Sequence, residues 1–187
     1  MTNELISNKY IATIDRYTLR TDFSKFSKNN IVGLLIEAGS LFNSIHIKNK
    51  DFKNPQLYSQ IESADKADLP YGFYFKARSR NKYEVKEEVY ELSFILRKYP
   101  PKLGLWLTLD LTNSVITNDK ILDEYYNRLV GLGLKNQLGL YVTLDELKTI
   151  TWSNHQDEWW LWLINRYNSE DELTQDITPD IFDVEVN

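Results

Sequence analysis

Residues Leu103–Asn113 have the sequence LGLWLTLDLTN. It reads as a buried strand whose last residues deliver one acid, Asp110, and, two places on, Thr112. Residues two apart in a strand point to the same face, so Asp110 and Thr112 project side by side from its C-terminal end. That is the end at which (β/α) barrels carry their chemistry.

Working outward, strands and helices alternate. Tyr10–Asp15 is a first strand ending in an acid, and Asp22–Lys28 is a helical turn capped by Asp22. Ile31–Ala38 is a nearly unbroken apolar run, as a strand buried on both faces requires. After a polar loop, Pro55–Ala67 reads as a helix with Leu57, Ile61, Ala64 and Ala67 inward. Tyr71–Lys76 is the third strand. Glu84–Lys98 is an amphipathic helix with Val85, Val89, Leu92, Leu96 and Tyr99 on one face.

Beyond the opening stretch, Asn118 caps a helix whose inward face is Ile121, Leu122, Tyr125, Leu129 and Leu132. Gln137–Val142 is the fifth strand, and Thr143 with Glu146 forms a capping box for a short helix through Thr149. Trp159–Ile164 and Phe182–Val186 are further strands. The alternation predicts an α/β fold with a parallel sheet: an incomplete, irregular (β/α) TIM-like barrel of about five βα units plus extra C-terminal strands. No repeat, linker or low-complexity tract divides it, so residues 1–187 read as one domain.

Composition narrows the function. At 187 residues and 42% hydrophobic content the chain can build a full core. A net charge of −5 and scattered basic residues exclude a nucleic-acid partner, which needs clustered Lys and Arg. Without cysteine there is no disulfide or thiolate chemistry, and His46 and His155 alone do not make a histidine metal site; no metal or cofactor is implied. The start, MTNELISNKY, lacks a basic head and apolar run, and no stretch approaches the ~20 apolar residues of a membrane span. The expectation is a chain made in the cytoplasm without its own secretory signal, carried outward by other means if it acts outside.

The ordered motifs resemble glycoside hydrolase family 25, the N-acetylmuramidases or lysozymes of phages, bacteria and some fungi. The residues that carry the likeness are Ile14-Asp15 followed by Asp22-Phe23-Ser24-Lys25-Phe26, then IVGLLIEAGS, where the family more often has a basic residue at Glu37. Next come Asp51, Phe52 and Asn54 ahead of a helix, and Gly72-Phe73-Tyr74, with Phe75 and Lys76 standing where the family has a His and an aromatic. LTLDLT stands where the family has Leu-Asp-x-Glu. GLYVT, LWLINRY and FDVEVN are similar to its later strands. The resemblance implies an incomplete barrel and hydrolysis of the β-1,4 bond between N-acetylmuramic acid and N-acetylglucosamine, with retention. It also implies a phage or Gram-positive setting.

Glycoside cleavage needs a protonated acid at the leaving oxygen and negative charge beside the developing oxocarbenium ion. By resemblance, Asp15, Asp110 and Asp183 match three family acids, whereas Thr112 occupies the place of the general acid. A hydroxyl cannot protonate a leaving sugar, and losing a positioned acid costs roughly 10²–10⁴ in rate. Glu37, near the end of the adjoining strand, is the best substitute acid. The plainer reading of Glu37 is an ion pair with Lys76, because buried charges are usually paired. Tyr74, Tyr141, Trp162 and Tyr167 stand where the family keeps groove aromatics; flat rings stack on sugars, but they also serve as ordinary core. Within Trp159, Trp160 and Trp162 the faces alternate, Trp152 lies in a loop, and His155 reads as a surface residue.

Three readings follow. The first is a catalytically degenerate family 25 barrel that binds a cell-wall glycan (peptidoglycan or a related polymer) or serves as a structural module of a phage or mobile element. The second is a muramidase with Glu37 as displaced acid. The third is a protein-binding scaffold without sugar affinity. A lysin that must find the wall often has a separate wall-binding domain, and the absence of one here favours the first and third.

Overall fold

The structure, a computed structural model, describes residues 9–18, 22–39, 53–109, 119–150, 155–164 and 181–184. Among the described residues seven strands form one sheet: β1 (Lys9–Ile14), β2 (Ile31–Gly39), β3 (Tyr71–Ala77), β4 (Leu105–Leu109), β5 (Leu138–Thr143), β6 (Trp160–Ile164) and β7 (Ile181–Val184). Their spatial order is β6-β5-β4-β3-β2-β1-β7. β1 through β6 run parallel to their neighbours, and β7 lies antiparallel against β1. Helices α1 (Leu57–Lys66), α2 (Lys82–Lys98), α3 (Asp119–Gly131) and α4 (Leu144–Thr149) follow β2, β3, β4 and β5. This is the incomplete α/β barrel that the sequence predicts. Among the described residues no helix is long and apolar enough to cross a membrane.

The two faces of the sheet differ in chemistry. Facing the helices are Ala12 and Ile14 of β1, Leu34, Ile36 and Ala38 of β2, Phe73, Phe75 and Ala77 of β3, Leu105 and Leu107 of β4, and Leu138, Leu140 and Val142 of β5; all are buried in one core with Leu57, Ile61, Val85, Leu92 and Leu129. Residues between them in sequence face the other way, because the strand period is two. There, Glu37, Tyr74, Lys76, Trp106, Tyr141 and Trp162 are only partly covered. The sequence reading of β2 as buried on both faces holds from Gly33 to Ile36, whereas Val32 is exposed and Glu37 only partly covered.

Helix ends follow local chemistry. Asp22 accepts from the Ser24 amide at the first 3-10 turn, and Thr143 and Glu146 complete the capping box of α4. α2 begins at Lys82, ahead of the expected Glu84, because the Asn81 side chain accepts from the Tyr83 and Glu84 amides. Asn118, expected to cap α3, lies outside the described residues.

One glycine fixes how β4 and β5 meet. A methyl group built on Gly139 would stand 2.3 Å from the Trp106 ring, so the indole lies against bare backbone. The Trp106 Nε1–H donates to the Leu103 carbonyl at 2.8 Å and holds the ring there.

Two polar side chains are buried at the C-terminal ends of β1 and β2. Asn54 is 2% and Gln60 4% exposed. Asn54 Nδ2 donates to the Glu37 carbonyl at 3.0 Å and to Gln60 Oε1 at 2.8 Å. Gln60 Nε2 in turn donates to the carbonyls of Asp15 (2.7 Å) and Thr18 (3.1 Å). These bonds satisfy backbone oxygens that the strands leave behind, and they tie α1 to both strand ends. Replacing Gln60 with Leu is expected to cost about 1–3 kcal/mol, read as a lower urea midpoint, because buried acceptors lose their donor. Gly139→Ala is expected to cost about 1–3 kcal/mol by overpacking, with a changed near-ultraviolet dichroism as Trp106 is displaced.

Candidate functional site

The site grows from the strand ends. β1 ends at Ile14, and Asp15 turns the chain: its Oδ1 accepts from the Tyr17 amide, the Thr18 amide and the Thr18 hydroxyl, each at 2.9 Å. One oxygen of this acid is thus engaged in shaping its own loop. The turn places Arg16 over the end of β2. Arg16 Nε and Nη2 donate to Glu37 Oε1 at 2.9 and 2.5 Å, and the Arg16 amide donates to Oε2 at 2.9 Å. The side chains are 20% and 12% exposed, so this is a largely covered, charge-assisted fork. The Glu37 carboxylate, its hydrogen bond foremost, raises the already high pKa of the guanidinium.

The expected Glu37–Lys76 pair is therefore corrected: Glu37 takes Arg16. The geometry explains why. Ile14 and Ile36 are lateral partners, so the residues just after them come together with the amide of Arg16 already aimed at the carboxylate. Lys76 lies two residues beyond Tyr74 on β3, and Tyr74, not Lys76, is the lateral partner of Glu37. Lys76 shares the concave face at the level of Thr108.

Tyr74 sits amid the charges. Burial, first, and then the charges of Glu37 and Asp15 push its hydroxyl pKa up, with Tyr141 adding to the effect. It remains a neutral hydroxyl at any physiological pH. From Tyr74 a chain of rings crosses the sheet. Tyr74 and Tyr141 are 6.1 Å apart between centroids, and Tyr141 meets Trp162 edge-on at 5.9 Å. Trp162 meets Trp106 edge-on at 5.3 Å, and Trp106 reaches Trp160 at 6.4 Å. Trp160 is 55% exposed at the edge of the sheet. Trp159, by contrast, is buried against Tyr126 of α3, as the alternation of faces requires. His155 stacks on Tyr126 at 4.1 Å and pairs with Glu158, away from the ring row.

The structure thus brings together Asp15, Glu37, Tyr74, Tyr141 and Trp162 of the sequence-predicted residues, with Lys76 on the same face. Asp183 is on β7 opposite Tyr10, at the start of β1, about 16 Å of strand away from Asp15. Asp110, Thr112, Trp152 and Tyr167 lie outside the described residues.

Two groove residues were missed. Trp106 had a signal: counting back by twos from Asp110 passes through Thr108 and Trp106. Arg16 had none, since it follows the strand in an irregular turn.

The ring row offers flat apolar faces, and the Arg16–Glu37–Tyr74 end offers hydrogen-bonding groups. That is a surface suited to a ligand with alternating apolar and hydroxylated faces.

No protein-family model matches the sequence, and no curated protein matches it. Solved structures do match in fold. A glycosyl hydrolase 25 of Streptococcus pneumoniae, the virulence factor GHIP, aligns with a TM-score of 0.69 and 16% identity, covering 93% of this chain and 78% of that one. A family 25 lysozyme from Aspergillus fumigatus aligns with a TM-score of 0.62 and 16% identity over 92% of this chain and 82% of its own. The modular autolysin LytC of S. pneumoniae, solved with a synthetic peptidoglycan ligand, aligns with a TM-score of 0.60 and 14% identity over 75% of this chain and 33% of its own. At these identities the likeness is one of fold: the chain shares the incomplete α/β barrel of the family 25 lysozymes.

Proposed function

We propose that this chain is a lysozyme-like domain that binds cell-wall glycan without cleaving it. The observation that carries the reading is the Arg16–Glu37 fork. Glu37 is the carboxyl group best placed to replace a missing general acid, and it accepts three hydrogen bonds from Arg16. With both oxygens accepting from Arg16, this carboxylate serves as an acceptor and a structural tie. Supporting it, the sequence carries Thr112 two places after Asp110, where the resemblance asks for Glu. A carboxylate and a threonine together supply charge stabilisation without an acid, which is half of a glycosidase.

The ring row supports the ligand class. Pyranose rings present apolar C–H faces to stack on Tyr141, Trp162 and Trp106, and their hydroxyls meet Tyr74 and the ion pair. LytC, of which this fold spans 33%, was solved in complex with a synthetic peptidoglycan ligand, which makes wall glycan the first ligand to test.

Purified protein is expected to leave a peptidoglycan suspension turbid while binding muropeptides by calorimetry. Trp162→Ala is expected to weaken that binding about tenfold, or about 1.4 kcal/mol. Clearing that vanishes in Glu37→Gln would instead establish a muramidase with a displaced acid, and no binding to any muropeptide or chitooligosaccharide would leave a protein scaffold. Arg16→Met is expected to cost about 1–2 kcal/mol of stability, the pair being partly screened by solvent. A double-mutant cycle with Glu37→Gln measures the coupling, and strict additivity would remove the fork from the argument.

A further inference from the structure

The helix layer holds an acid that the groove does not use. Glu88, on the inner face of α2, is 0% exposed. Its Oε2 accepts from the Tyr125 hydroxyl of α3. Among the described residues its Oε1 and the hydroxyl of Ser79, which is also 0% exposed, have no well-formed hydrogen bond, although Ser79 stands close enough to favour the ionised carboxyl. Ser79 belongs to the short connection between the end of β3 at Ala77 and the α2 cap at Asn81. Three elements therefore meet at one buried carboxyl: α2, α3 and loop 78–81.

No cationic side chain is among the main influences on its ionisation, and the Arg78 Nε is buried in the same loop. Burial, the largest influence, pushes the Glu88 carboxyl up to about 8. Tyr125, Ser79 and the Arg78 backbone oppose that shift, and Glu84, one turn earlier on α2, adds to it. The Tyr125 hydroxyl is itself held well above its ordinary range, first by burial and then by Glu88, so it does not release a proton in exchange.

We propose that Glu88 is a proton-operated latch: in its neutral form it lets loop 78–81 and α3 close over α2, and on ionising it opens that loop to admit water. The loop is the part that yields. α2 and α3 are anchored by fully buried apolar residues, Val85 and Leu92 on one and Leu129 on the other. The same loop continues directly from the strand that places Tyr74 and Lys76 on the concave face, so opening reaches the mouth of the groove. This inference does not depend on what the groove binds.

The sign of the effect follows from linkage. A carboxyl whose folded value lies above its unfolded value stabilises the closed form fully below the ordinary glutamate range, and that contribution is lost as pH rises towards and through about 8. Hydrogen exchange on the intact chain is the test, with protection corrected for intrinsic rates. Protection of loop 78–81 is expected to fall about tenfold per pH unit between roughly pH 5 and 8 and to level off above. In Glu88→Gln the loop is expected to stay equally protected across that range. In Tyr125→Phe, which removes a bond that favours the ionised form, the levelling is expected at higher pH.

An unchanged pH profile in Glu88→Gln, or a loss of protection spread evenly over the chain, would overturn the latch. If Glu88→Gln does not fold, the carboxyl carbon of Glu88 in the wild-type chain can be followed by NMR. Titration near 8 supports the proposal, and titration in the ordinary glutamate range overturns it.

Discussion

A parallel sheet that curls without closing must satisfy two surroundings at once, and here the strand period of two assigns one chemistry to each face. The helix side is aliphatic and phenylalanine-rich from β1 to β5, and it is buried nearly to completion. Among the described residues no helix covers the concave side, and it is lined with residues that tolerate partial exposure: two tyrosines and three tryptophans in ring contact, then a lysine and an ion pair near the strand ends. The hydrophobic core holds the sheet, and the rings exist because one side of that sheet is not core.

The polar end of the groove depends on a second arrangement. Asn54 and Gln60 are buried amides that neither the core nor the solvent would accept alone, yet together they satisfy carbonyls of Asp15, Thr18 and Glu37. The same residues that display acidic side chains on the concave face thus have their backbones fixed from behind. Arg16 and Glu37 complete the arrangement from the front. With the backbone pinned and the side chains paired, the acids near β1 and β2 are held in place as hydrogen-bond acceptors.

Much of the fold was legible because its elements are periodic. The α2 face of Val85, Val89, Leu92 and Leu96, the capping box at Thr143 and the strand alternation all follow from local rules, and each stands where those rules put it. Glu88 and Gln60 were not legible. Both interrupt inward faces with polar groups, and their partners, Tyr125 and the carbonyl of Asp15, come from distant parts of the chain. The Glu37 partner was misassigned for a related reason: sequence order puts Lys76 at the end of the next strand, whereas the irregular turn after β1 swings Arg16 onto the carboxylate. Trp106 was legible only through Thr108 and Asp110, which mark its face of an otherwise apolar strand two and four residues later.

The indole resting on Gly139 has a consequence for how such a chain can change over time. It locks β4 and β5 in one alignment, and every ring in the row inherits its orientation from that alignment. Sliding either strand by a single residue would turn the tryptophans toward the helices and the aliphatic residues toward solvent. Insertions and deletions are therefore tolerable in the turns between elements and ruinous within the central strands, so the loops at the rim are free to diversify while the ring row beneath them stays fixed.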